Sequence, residues 1–333
     1  MSQTPLPFPL PLPALATALL LSALPGCKQD SAPTAPAAAQ PAQVAPVTLR
    51  VVDATGASVD IQDASRLVTI GGTVTEIVYA LGAGEAVKGV DSSSLFPAEA
   101  RRLPQVGYQR RLSAEGVLAL EPTLVLMTEE SGPPPAVAQL RASGAPVVVV
   151  PVKHSVESAR ASIRLVGEAL DRRERASELI ATLDRDLEEA RALQPAAEAP
   201  RPKVLFIYAR GQGTLNVAGL DTSGAAMIAL AGGQNAITGF EGYKGLTAEA
   251  VVEAAPDFIL MSDMGAQSIG GADGVFSLPG MALTPAAKGR RLITLEDLLL
   301  LGFGPRTGEA VKQLSTALHV GGGAEGQHRS AAP

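Results

Sequence analysis

From residue 47 onward, short apolar runs alternate with amphipathic stretches, and each run has the length of a strand. Val47–Asp53 and Ser58–Ile61 alternate apolar and polar positions around a Thr55-Gly56 turn, the pattern of a half-buried hairpin. Leu67–Ile70 (LVTI) reads as a short buried strand. Gly71-Gly72-Thr73 follows, then a helix over Val74–Leu81 that Gly82 and Gly84 stop. Leu124–Met127 and Val147–Val150 are further strand-like runs, with a helix over about Pro135–Ser143 between them. Strands alternating with helices predict parallel α/β structure.

Between Ser155 and Gln194 there is no proline. Val156–Leu170 reads as one helix, and Asp171 is placed to cap a second over Arg172–Leu193, about 33 Å long. Ala176, Leu179, Leu183 and Leu187 form an apolar stripe on that second helix among charged positions. Gln194–Pro202 breaks the pattern, and Val204–Tyr208 opens a second α/β set running to about His319. The chain therefore divides into an N-terminal α/β lobe at 48–153, a helical linker at 154–195, a C-terminal α/β lobe at 196–320 and a disordered tail at 321–333.

The first 47 residues follow a different pattern. Ala14–Leu24 is an apolar run of 11 residues. It is too short for a bilayer span of about 20 residues but suits the core of a signal peptide over 1–26. It ends in Leu24-Pro25-Gly26-Cys27, which resembles a bacterial lipobox, so Cys27 is the expected lipidation site. No Lys or Arg precedes the run, and Pro25 departs from the lipobox pattern. Residues 27–47, rich in Ala, Pro and Gln, read as the lipidated Cys and a flexible tether. These features imply a protein folded outside the cytoplasm and held to a membrane by a lipid anchor.

Composition removes several function classes. Hydrophobic residues make up 46% of the 333, enough for a packed core. A net charge of −6 gives no support to a nucleic-acid partner. One Cys cannot form an internal disulfide, and three scattered His make a poor metal set, which argues against a zinc or manganese carrier. The chain has no G-x-S-x-G elbow, no G-x-G-x-x-G after a strand and no Walker A sequence, so no enzyme is expected.

The two lobes share a repeat. Leu112–Thr128 (LSAEGVLALEPTLVLMT) recurs as Leu246–Ser262 (LTAEAVVEAAPDFILMS), identical at 7 of 17 positions. Each copy has a Ser or Thr N-cap, a first-turn Glu, an apolar helix, a Pro and a strand, and each follows a Gly-Tyr pair. Loops at the carboxyl ends of parallel strands carry ligand sites, so two such lobes face a cleft between them. Tyr108 and Tyr243 then lie on related loops, and Glu115 and Glu249 at related helix starts.

This arrangement resembles the class III periplasmic binding proteins of ABC importers, which carry iron chelates, cobalamin and haem. Arg66–Gly84, Gly89-Val90-Asp91, Gly107–Glu115 and Leu301–Arg306 carry the resemblance, which covers about residues 48–318. It implies two Rossmann-like lobes joined by a long α-helix, with the ligand in the cleft. Within that family the chain most resembles the haemin-binding proteins of bacterial haem uptake systems, on Gly107-Tyr108-Gln109-Arg110.

The resemblance implies that Tyr108 is an axial ligand of ferric haem b, the transported cargo, with Arg110 beside it. The chemistry is consistent: phenolate is a known ligand of haem iron, and a nearby guanidinium favours the charged phenolate. Arg111, Lys153, Arg210 and Lys244 are the candidate cations for the propionates. Tyr243 is the second-lobe candidate for stacking or for the other haem face, and His154 is a possible distal contact that reads better as a loop residue. Glu115 and Glu249 match family positions that dock on the permease, which works with its ATPase. Binding as a monomer with one haem is expected, with two stacked haems as the other stoichiometry. A ferric siderophore or cobalamin on the same fold is the alternative cargo, and a purely structural role leaves the two Gly-Tyr loops without purpose.

Overall fold

The computed structural model describes residues 48–196, 198–211 and 213–320. The signal peptide, Cys27, the tether and the C-terminal tail fall outside the described residues.

The first lobe is built on a four-stranded parallel sheet in the order Val87–Val90, Leu67–Ile70, Leu124–Thr128, Val147–Val150. The last three strands are buried at every position, because a parallel sheet is covered on both faces. Alternate residues serve the two sides. Leu67, Leu124, Leu126, Val148 and Val150 pack with the helices Gly72–Ala80 and Val156–Ala169. Val68, Ile70, Val125, Met127, Val147 and Val149 pack with Ala114–Leu118 and Pro134–Ala142. The first helix starts at Gly72, two residues before the position expected from the sequence. The hairpin Leu49–Val52/Ser58–Ile61 stands apart from this sheet as an antiparallel pair and buries Val51 and Ile61 against the same core.

The second lobe has a mixed sheet in the order Tyr243–Gly245, Leu215–Ala218, Lys203–Ala209, Phe258–Ser262, Leu292–Leu295, with Gln234–Asn235 beside the start of Lys203–Ala209. Its centre is parallel as expected. Its outer side is not: Leu215–Ala218 runs antiparallel to Lys203–Ala209, and Tyr243–Gly245 antiparallel to Leu215–Ala218. The physical reason is the short link between Ala209 and Leu215, which permits a hairpin but not a crossover.

The helices Val156–Ala169 and Arg173–Ala192 form the spine. Arg172, not Asp171, is the N-cap of the second. Asp171 instead takes a left-handed φ of +53° in the turn between them. The apolar stripe spans the lobes: Ala176 and Leu183 sit in the first-lobe core, Ala190 in the second, and Leu187 packs against both.

A second connection closes the back of the cleft. The Thr73 hydroxyl donates to the Gly302 carbonyl at 2.7 Å. Arg306 donates to both Glu76 oxygens at 2.7 and 3.1 Å and to Glu296 Oε2 at 3.0 Å, while the Phe96 ring lies 3.7 Å below its guanidinium. A Cβ at Gly302 would lie 3.2 Å from the Thr73 hydroxyl oxygen and 2.5 Å from the Leu298 carbonyl of its own lobe, so glycine suits this crowded crossing. The result is two Rossmann-like lobes with a cleft between them, fixed by a helical spine and a polar seam.

Candidate functional site

The first-lobe side of the cleft is organised by Asp91, which is fully buried at the carboxyl end of Val87–Val90. Its carboxylate accepts from the backbone N–H of Gly71 at 2.8 Å, Ser93 at 3.0 Å and Gln109 at 3.1 Å, and from the hydroxyls of Ser93 and Ser94. One side chain thus ties three loops together. The turn that carries Tyr108 is held from its other side as well. Gly132 N–H donates to the Gln109 carbonyl, and the Thr128 hydroxyl donates to Gln109 Oε1. Gly107 enters the turn with φ +99°, a conformation that suits glycine. Tyr108 then pairs with Arg111 in a two-residue ladder and leaves its side chain 39% exposed. The backbone is pinned and the ring is partly exposed.

Arg110 does not lie on the Tyr108 hydroxyl. Its Nη2 donates to Glu130 Oε2 at 2.5 Å. That bond is the main reason its pKa is raised, with smaller contributions from the Tyr108 and Tyr208 phenols.

The second-lobe side holds a residue that the sequence reading missed. Tyr208 lies near the carboxyl end of Lys203–Ala209, and the Arg210 Nε donates to its hydroxyl. This bond is the main cause of the raised Arg210 pKa, and Tyr108 and Asp297 contribute less. The signal was present in the sequence: Tyr208-Ala209-Arg210 repeats the Tyr-x-Arg spacing of Tyr108-Gln109-Arg110.

Tyr243 is a half-exposed wall rather than a free phenol. Its ring lies 5.9 Å from that of Tyr208 and 6.5 Å from that of Phe206, and its hydroxyl bonds Ser223 Oγ at 3.3 Å. Burial pushes its pKa up, away from a phenolate. Register explains the difference from Tyr108. The repeat is real in the backbone, with left-handed residues at matching positions, Glu121 (φ +48°) and Ala255 (φ +43°). Tyr243, however, stands three residues before Leu246 where Tyr108 stands four before Leu112. A one-residue slip turns a strand side chain to the other face.

The remaining candidates are dispersed. Lys244 sets its ammonium 4.4 Å from the Phe240 ring. Arg111 and Lys153 are exposed, the latter with its backbone N–H on Ser158 Oγ. His154 lies against Phe303, ring centroids 5.8 Å apart and planes tilted by 55°, and so belongs to the interlobe seam. Glu115 and Glu249 are exposed in the first turns of Ala114–Leu118 and Ala248–Ala254, capped by Ser113 and Thr247. Among the described residues neither carboxylate is in an ion pair, and no three His, Cys, Asp or Glu side chains converge as a metal site. No described helix is long and apolar enough to cross a membrane. A recess of about 530 Å³ lined by Asp60, Leu118, Glu121 and Ser143 lies at the amino ends of the first-lobe strands, away from the tyrosines.

Residues 67–298 match the model of a family described as periplasmic binding protein. Among curated proteins, an uncharacterized ABC transporter substrate-binding lipoprotein of Bacillus subtilis, YvrC, is 30% identical over 91% of this chain and 95% of its own. A vitamin B12-binding protein of Pectobacterium carotovorum is 33% identical over 30% of this chain and 36% of its own. Among solved structures, the periplasmic haem-binding protein RhuT of Roseiflexus sp. RS-1 is 45% identical, with a TM-score of 0.73 over 78% of this chain and 99% of its own. The periplasmic haem-binding protein BhuT in complex with two haems is 44% identical, with a TM-score of 0.71 over 76% and 98%.

Proposed function

The chain belongs to the periplasmic binding protein family, and we propose that it captures ferric haem outside the cytoplasm and delivers it to an ABC permease. The observation that carries this reading is the pair of Tyr-x-Arg units, one from each lobe, with the Arg210 Nε on the Tyr208 hydroxyl and Tyr108 partly exposed. Phenolate oxygen suits haem iron, and guanidinium beside it offsets the charge that forms on ligation. Tyr108 is the first axial ligand in this reading and Tyr208 the facing one. Tyr243 supplies aromatic wall, and Arg110, Arg111, Lys153, Arg210 and Lys244 supply cations for the two propionates. The similarity to two haem-binding proteins at 44–45% identity supports the same cargo. One haem bridging the lobes, or two stacked haems with one tyrosine each, both use this geometry.

Three further assignments accompany the proposal. Cys27 carries a lipid, the tether spaces the lobes from the membrane, and Glu115 and Glu249 contact basic groups of the permease, one from each lobe. A cobalamin cargo is the second reading, and the short match to a vitamin B12-binding protein favours it.

The test is the absorption spectrum of the purified protein with and without added haemin. A Soret band that shifts on binding and changes in Tyr108→Ala supports haem. No spectral change with haemin, together with saturable uptake of cyanocobalamin or a ferric hydroxamate, overturns it.

A further inference from the structure

The two Tyr-x-Arg units differ in one respect that the sequence does not show. In the second lobe the arginine already holds its tyrosine, with Arg210 Nε on the Tyr208 hydroxyl. In the first lobe the arginine is held elsewhere, by Glu130. Glu130 follows the strand Leu124–Thr128 at the cleft end of the sheet, two residues beyond Thr128, which itself bonds Gln109. It therefore stands beside the turn that carries Tyr108 and Arg110. The groups that Arg110 faces are Glu130, Tyr108 and Tyr208, and of these only Glu130 is bonded to it.

We propose that Glu130 is a releasable holder for Arg110 that lowers the affinity of the first-lobe half of the site and speeds release of the cargo. This rests on the haem reading above. Exposure of the pair makes the exchange feasible: the side chains of Arg110 and Glu130 are 58% and 41% exposed. An ion pair in such a setting is weak, so a propionate or a ligated phenolate can compete for the guanidinium. Once released, Glu130 returns to water and leaves no buried charge behind. A buried carboxylate in the same place would be a permanent partner and not a holder. Tyr208 is thus the preorganised half of the site, and Tyr108 the half that Glu130 regulates.

The experiment measures transfer of haem from the loaded protein to excess apomyoglobin by stopped flow, for wild type, Glu130→Gln, Arg110→Ala and the double variant. Glu130→Gln is expected to slow haem loss by up to about 5-fold, the ceiling set by an exposed ion pair. Arg110→Ala is expected to abolish that difference, so the double variant matches Arg110→Ala alone. A second readout uses no haem. The Arg110 side-chain N–H resonance of the apoprotein is expected to shift in Glu130→Gln, and to shift the same way when wild type binds diamagnetic gallium protoporphyrin. Equal or faster haem loss from Glu130→Gln, an effect that persists without Arg110, or an Arg110 resonance indifferent to Glu130 overturns the inference while haem binding stands. Failure of wild type to bind haem overturns the functional reading, and this inference with it.

Discussion

Asp91 bonds three backbone N–H groups and two hydroxyls from a site with no access to water. Replacing it by Ala leaves buried donors unpartnered, which costs more than the bonds are worth when made. Asp91→Ala is expected to lose about 3 kcal/mol of stability in chemical denaturation and, in the folded fraction, to broaden the haem spectrum as the Tyr108 turn loosens. An unchanged denaturation midpoint would show that the hub is not a support. Residues differ in how plainly they declare such roles. Tyr108 was singled out through the family resemblance carried by Gly107-Tyr108-Gln109-Arg110, in a chain where few aromatics compete for notice. Tyr208 was overlooked despite its Tyr-x-Arg spacing, because a tyrosine that ends an apolar run looks like core until the hydroxyl is seen on Arg210. Glu130 was not legible either. Nothing in the run Glu129-Glu130 says which carboxylate meets a cation 20 residues upstream.

At the scale of elements, the parallel strands were readable because burial on both faces leaves continuous apolar runs. The spine was readable because its helix keeps one stripe for two cores. The antiparallel side of the second sheet was not, since the same apolar alternation serves either direction and only the length of the Ala209–Leu215 link decides. The seam was beyond reach for a different reason. Glu76 and Arg306 are 230 positions apart, and neither a mid-helix Glu nor an Arg at a helix start names its partner. Their bond places the helix Gly72–Ala80 of one lobe against the start of Thr307–His319 of the other, directly behind the loops that Asp91 ties. Spine and seam together join the lobes at two places.

For the whole molecule, the proposed transport role calls for a permease that meets both lobes at once. Glu115 and Glu249 occupy equivalent positions on the two lobes and project from capped helix starts. A carboxylate there also steadies its own helix, and Asp does that equally well. Glu115→Asp and Glu249→Asp are therefore expected to keep stability and haem binding while lowering uptake into proteoliposomes that hold the cognate permease, by roughly 5- to 10-fold each. Uptake equal to wild type would assign these residues to helix capping alone. The central claim is the meeting of iron with two phenols from opposite halves of one groove, and a crystal structure of the protein loaded with ferric haem tests it most directly. The expected result is iron within bonding distance of the Tyr108 hydroxyl oxygen, with the Tyr208 hydroxyl on the opposite side of the same haem or on a second haem stacked against it. A porphyrin held with both tyrosines turned away from the metal, or no porphyrin in the groove at all, contradicts it.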